Sequence, residues 1–477
     1  MKSNNKLKYF LFVLVLFIAI FSRLYKLNNS MTEWFSWRQT DTAAVGRFLQ
    51  RNNFNFLKPQ YYDLSNIQSG VDNPQGLRLV EFPIYNAIFA YANKLVPVIP
   101  LEIWARLTTI FFSLIIIVCL FSILESEFGL ADAFFGALFF ALNPYIVFYS
   151  RTILPDMPAT ALAMLSIYLF YRYLKTDWFS LLLGSIFMAT AMLIKPTVIF
   201  FLIPGLYLLW KKSHSNSRKI VDSVFFLIIS ILPVLLWRNY ISQFPEGVPY
   251  SQWLFTSVNT QDGLQSVFFR PAFFRWIFFE RISSLLMGGY LVFFLFLGLL
   301  LNTKKNLKVH YFMGLSALLY LFVFQGGNVQ HEYYQIIITP ALAMLIGVGV
   351  GNYFRQKKAG YLVGRIAITL IIFISSFLFS FYQVRGKYDE SHNLLLVSDV
   401  VRSLTNKNDI IVTDSTGDTT LLYLSDRRGY PSIYRELSLL KEQGAKYFIT
   451  QNLDYERKLK NEYSLIFQND QVLIFKL

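Results

Sequence analysis

The feature that most constrains this chain is a recurrence of apolar runs along most of its length, many long enough to cross a bilayer as helices. Eleven runs are candidate spans: 9–27, 103–124, 132–149, 158–174, 179–195, 198–210, 220–241, 284–301, 309–325, 335–353 and 366–383. Lipid offers a bare backbone no hydrogen bonds, so a chain of this pattern crosses as helices. The composition agrees, with 55% hydrophobic and 18% aromatic residues and only 15% charged ones. The expected class is therefore an α-helical polytopic membrane protein.

A twelfth run, 82–99, is short and interrupted by Asn86, Asn93 and Lys94. Charge parity decides its role. With the N-terminal lysines in the cytoplasm and 82–99 lying along the surface, the loops at 211–219, 302–308 and 355–365 all fall inside. All three are strongly basic, as the positive-inside rule requires. If 82–99 crossed, all three would be translocated. About eleven crossings follow, with 82–99 interfacial or re-entrant. The loop at 28–101, the turn around Asp156, the Lys195-Pro196 turn, the 242–283 and 326–334 loops and the C-terminus then share the outer face.

The net charge of +15 would suit nucleic acid. Its basic residues cluster between hydrophobic spans, so membrane topology accounts for them and no nucleic-acid partner is expected. The sole cysteine, Cys119, excludes an internal disulfide. The apolar run at 9–27 is longer than a signal-peptide core and has no small-residue cleavage site after it, so it reads as a retained helix.

Within the outer segments, 42–52 and 267–280 have the periodicity of surface-lying helices. Two domains are expected: 1–385 in the membrane and 386–477 as a small α/β unit. In the second, helical patterns at 392–405, 433–443 and 453–461 alternate with strands at 409–413, 446–450, 463–467 and 471–476, punctuated by Gly417, Gly429 and Gly444.

Each candidate functional residue has two readings. Asp41 is a general base or cation ligand, or it caps a helix beginning at 42. Glu81, before Phe82-Pro83, is a solvated first-turn acid or points into a cavity. Asp156, in Leu154-Pro155-Asp156-Met157-Pro158, serves a site or caps the next helix. Lys195 snorkels from a span end or binds a lipid phosphate. His331, with Tyr333 and Tyr334, holds a phosphate or belongs to an interfacial aromatic belt. Asp414 and Asp418 read as turn-formers. Four histidines without paired spacing argue against zinc. What raises these signals together is their collection on one face, since ionisable groups at membrane depth are costly without a function.

With these residues in view, the chain resembles the GT-C superfamily of polyprenyl-phosphate-sugar-dependent glycosyltransferases. The likeness is nearest to lipid A aminoarabinose transferases, protein O-mannosyltransferases and bacterial family 39-like sequences. It rests on Asp41 in the first outer loop, the Glu81-Phe82-Pro83 motif, Asp156, Lys195, the His331-x-Tyr333-Tyr334 segment and the C-terminal domain. In aminoarabinose transferase the middle of Glu-x-Pro is a phosphate-binding lysine, and here it is Phe82. Phosphate contacts are therefore expected from Lys195, Arg78, Arg270, Arg275 and Arg281, with Arg38 behind them.

The resemblance implies a sugar moved from a polyprenyl-phosphate donor to a lipid, glycan or protein acceptor outside the bacterial cytoplasmic membrane. It implies inversion at the anomeric carbon, with Asp41 as base and Glu81 orienting a substrate. A divalent cation is left open. The competing classes are a polyprenyl-lipid flippase or transporter, and a polysaccharide polymerase or ligase. Apart from Arg106, the spans read as nearly free of ionisable residues away from their ends, which argues against a transporter.

Overall fold

The structure is a computed structural model describing residues 5–173, 178–212, 215–251, 254–255, 257–260, 263–266, 270–300, 307–356 and 361–477. Lys304, Lys305, Lys357 and Lys358, much of the 175–178 turn, and Val267–Phe269 of the expected surface helix lie outside these residues, as do Ser213 and His214. The chain is mostly helical and divides into two compact units. Unit 1 comprises 1–27, 106–237 and 251–386, and unit 2 comprises 28–105, 238–250 and 387–477. The first loop, expected within the membrane domain, thus groups with the C-terminal segment.

Five helices among the described residues are long and apolar enough to cross a membrane: Asn5–Arg23, Leu101–Glu127, Asn216–Ile241, Glu332–Arg355 and Leu362–Leu404. The remaining apolar runs form shorter or broken helices, and the breaks have local causes. The 132–149 run stops at Leu142, where Pro144 restarts the helix and the Asn143 side chain accepts from Ile146 N. The run at 284–301 is parted by Gly288 and Gly289, both at positive φ, between a π-helix at Arg275–Leu286 and a helix at Val292–Leu300. A tight 3₁₀ turn follows Lys195-Pro196.

In unit 1 the Thr339–Arg355 helix packs closely on two neighbours through glycine. A Cβ at Gly347 would sit 2.4 Å from Asp132 O, and one at Gly349 would sit 1.9 Å from Phe294 O. Such close backbone approach is how membrane helices associate where lipid supplies no hydrophobic drive. Two arginines, Arg23 fully buried and Arg355 exposed but paired to a buried carboxylate, also tie this unit. Arg23 donates to Ala19 O, Ala141 O, Phe140 O and Ser113 Oγ at 2.9–3.1 Å, satisfying orphan carbonyls near the end of the 130–142 helix. Arg355 grips Asp132 in a fork of 2.8 and 2.9 Å. A two-stranded hairpin, β1 (Ser257–Thr260) with β2 (Gly263–Ser266), completes the unit.

Unit 2 is built on a five-stranded mixed sheet: β3 (Ile410–Thr413), β4 (Gly429–Tyr430), β5 (Ala445–Thr450), β6 (Ser464–Gln468) and β7 (Leu473–Lys476), in the order β4-β3-β5-β7-β6. Helices at His392–Leu404, Thr420–Ser425, Leu437–Glu442 and Tyr455–Leu459 connect or flank the strands. Gly417 and Gly444 turn the chain at positive φ. Gly429, expected as a turn, is instead inside β4, where a Cβ would lie 1.8 Å from Ile411 O.

The open edge of β4 is covered by the first loop. Gly429 N donates to Tyr62 O at 3.0 Å, and Leu64 N donates to Gly429 O at 2.9 Å. Leu64 then packs with Val412, Tyr430, Leu440, Phe448 and Phe475 in the sheet's core. Two segments far apart in sequence therefore make one hydrophobic core.

Candidate functional site

In unit 2 the helix runs Ser36–Arg51, six residues earlier than the periodicity predicts, with Phe35 in the left-handed region at its start. Asp41 is therefore mid-helix, and the capping reading is wrong. The helix crosses a second one, Ile84–Leu95, at Gly46, where a Cβ would meet the Phe89 ring at 2.2 Å. Asn86 Nδ2 donates to Thr42 O at 2.7 Å and Gln50 Nε2 to Ala90 O at 2.6 Å across this crossing. The entry to the second helix is thereby fixed beside the first, and Arg38 Nη2 meets Glu81 Oε1 at 2.5 Å.

Asp41 is 1% exposed. Its Oδ1 accepts from Thr419 Oγ1 at 2.6 Å, and its Oδ2 lies 3.0 Å from Arg78 Nη2. That ion pair is not aligned as a hydrogen bond, so Oδ2 retains unused acceptor capacity. Arg78 also donates to Gln68 Oε1 and lies over the Tyr61 ring at 5.0 Å.

Two further carboxyls feel the Asp41 charge. Burial pushes Asp63 up to about 6, against hydrogen bonds from Ser65, with Asp41 adding to the rise. Asp418 is raised in the same way, while its Oδ1 accepts from Thr420 N at 2.7 Å in a local turn. Arg47 braces the surroundings, donating to Tyr62 Oη, Tyr423 O and Glu102 Oε1 at 2.9–3.0 Å.

Unit 1 holds the other candidates. Asp156 opens the Asp156–Tyr173 helix and is fully buried. Lys195 lies where the next helix ends, its Nζ 3.4 Å from Asp156 Oδ1 and 4.8 Å from the centre of the Tyr334 ring. His331 stacks on Tyr333 and Tyr334, with ring centres 5.4 and 6.0 Å away. Arg281 donates to Glu332 Oε2 at 2.8 Å, and Tyr149 donates to Glu332 Oε1 at 2.6 Å. Arg275 is largely exposed and pairs with Glu280 at 3.0 Å. Arg270 is exposed too.

The phosphate candidates thus separate. Arg78 is committed to Asp41 in unit 2, whereas Lys195, Arg270, Arg275 and Arg281 belong to unit 1. Sequence reasoning missed Thr419, Glu332 and Arg151, the last fully buried and over the Phe148 ring at 5.5 Å. Arg151 carried a signal, being a lone charge between apolar runs. Thr419 carried none. Among the described residues, no three His, Cys, Asp or Glu side chains gather as a metal site, and a guanidinium stands beside Asp41.

Comparison with known proteins gives the geometry its context. Residues 83–237 match the family model described as dolichyl-phosphate-mannose-protein mannosyltransferase. No curated protein matches in sequence. ArnT from Cupriavidus metallidurans, solved bound to undecaprenyl phosphate, superposes with a TM-score of 0.63 at 14% identity, covering 97% of each chain. The oligosaccharyltransferase AglB from Archaeoglobus fulgidus, with an inhibitory peptide and a dolichol-phosphate, gives 0.58 at 10% identity over 94% of this chain and 70% of its own. The arabinofuranosyltransferase AftD from Mycobacteria gives 0.62 at 13% identity over 97% of this chain and 39% of its own. The chain resembles GT-C glycosyltransferases and has their fold, that of an integral membrane protein.

Proposed function

We propose that this chain transfers a sugar from a polyprenyl-phosphate donor to an acceptor hydroxyl on the outer face of a bacterial cytoplasmic membrane. The observation that carries the reading is Asp41, a buried carboxylate whose Oδ2 is ion-paired with Arg78 but accepts no aligned hydrogen bond, while Thr419 holds its Oδ1, in a chain of this fold. The N-terminus lies inside, the membrane is crossed about eleven times, and unit 2 lies outside, as the basic loops require.

Breaking the sugar–phosphate bond develops positive charge at the anomeric carbon and negative charge on the leaving phosphate. A buried cation stabilises that phosphate strongly where water is excluded, and Lys195 is the residue assigned to it. It stands beside the Asp156 carboxylate and the face of the Tyr334 ring, an environment that keeps an ammonium in place. Arg281, anchored on Glu332, is the second cation. The acceptor hydroxyl loses its proton to Asp41 Oδ2 as it attacks, with inversion at the anomeric carbon. Arg78 stays bound to the carboxylate and holds its orientation. Glu81, tied to Arg38, orients a substrate from the neighbouring segment.

The test is a proteoliposome assay with radiolabelled undecaprenyl-phosphate monosaccharides and envelope extract as acceptor. Label transferred with release of undecaprenyl phosphate supports the reading. Label that crosses the bilayer still attached to lipid would make the protein a flippase instead.

A further inference from the structure

We propose a separate lipid site in unit 1, at the helix ends remote from Asp156, that takes the headgroup of a phosphoethanolamine phospholipid. A cavity of about 260 Å³ lies among the first turns of Asn5–Arg23, the last turns of Leu101–Glu127 and the end of Asp156–Tyr173. Asp156 begins that last helix, and Tyr171 and Arg172 sit at its far end. At 1.5 Å per residue the separation is roughly 25 Å, most of the thickness of a hydrocarbon core. The cavity is therefore distinct from the Lys195 site.

Its lining is amphipathic and zwitterionic. Phe12 and Phe121 supply apolar wall, Lys8 and Arg172 supply positive charge, and Glu125 supplies one carboxylate. Lys8 Nζ and Glu125 Oε2 are paired at 2.7 Å, both partly exposed. A partly exposed pair of that kind is weak, so a ligand that satisfies each charge separately can replace it at little cost. Phosphoethanolamine does so, with its phosphate facing Lys8 and Arg172 and its ammonium donating to Glu125. A headgroup carrying only negative charge would meet the Glu125 carboxylate, and a choline has no N–H to donate. The lipid, rather than a soluble phosphoethanolamine, is the source. Tyr9, Phe10, Val13 and Phe17 on the same helix are all more than half exposed, which gives acyl chains a surface to lie along.

Full-length protein in nanodiscs of equal parts phosphatidylethanolamine, phosphatidylglycerol and phosphatidylcholine is released into native mass spectrometry, and retained lipids are counted. Wild type should retain phosphatidylethanolamine several-fold over the other two. Glu125→Gln should bring it down to the level of phosphatidylglycerol, and Lys8→Gln with Arg172→Gln should reduce both. Equal retention of the three lipids by wild type overturns the site, as does an undiminished preference in Glu125→Gln. Displacement by glycerophosphoethanolamine, which lacks acyl chains, overturns the assignment to a lipid.

Discussion

Asp41 in unit 2 and Lys195 in unit 1 are both buried ions beside an opposite charge, yet they are held by different chemistry. Around Asp41 the partners are close and polar: a hydroxyl donating at 2.6 Å and an ion-paired guanidinium at 3.0 Å that is itself bound to Gln68. Around Lys195 the carboxylate is farther, at 3.4 Å, and aromatic faces contribute. A base that must meet a hydroxyl at one angle benefits from donors that fix its plane. A cation that must receive a mobile phosphate benefits from contacts it can exchange, since an ammonium is a point charge without preferred direction. The contrast predicts that substitutions at the two sites differ in kind as well as in size.

The sharpest break is Asp41→Asn, which keeps the shape and removes the base. Transfer in proteoliposomes should fall about 10³-fold while donor binding is unchanged. Wild-type turnover in this variant would remove Asp41 from the chemistry. Lys195→Ala should cost about 10²-fold and also weaken binding of sugar-free undecaprenyl phosphate. A loss confined to kcat would mean that Lys195 does not hold the ground-state phosphate.

The comparison can also be sharpened through pH. Asp63 has a folded pKa raised to about 6 from its ordinary 3.8. Its stabilising contribution is therefore full below about pH 4 and declines as pH rises through 6, by roughly 2–3 kcal/mol for unit 2. Asp63→Asn should flatten the melting temperature across that window. An unchanged slope would show that Asp63 is not the group responsible. The smallest effect is expected from Thr419→Val, which removes one hydrogen bond to Asp41. About tenfold lower kcat, with little change in KM, is the expected result. No change would show that the C-terminal segment plays no part in orienting the base.

How much of this was legible in the sequence depends on range. The helices follow local hydrophobicity, and β3, β5, β6 and β7 fall within two residues of the runs expected from alternation. The acids and cations stood out because charge is scarce in so apolar a chain. Their partners did not stand out. Asp41 with Thr419, Arg47 with Tyr423 and Leu64 with Phe448 each join residues hundreds of positions apart, and no periodicity encodes such pairings. Asp41 looked like a cap because the polar run Ser36–Thr40 hid the true start of its helix. The C-terminal segment looked self-sufficient because its strands are locally complete, although part of its core is borrowed.

That borrowing has a consequence for how the protein is made. The backbone that seals the edge of β4 is synthesised some 366 residues before Gly429 itself. At translation speeds of roughly 5–20 residues per second, Tyr62–Leu64 waits about 20–70 s for its partner strand. Throughout that interval a newborn molecule carries an extended segment whose backbone groups have no strand to pair with, open to capture by a neighbour. Ribosome stalling or truncation upstream of β4 would prolong that exposure, and the cell would meet the product as an aggregation hazard before it met it as an inactive protein.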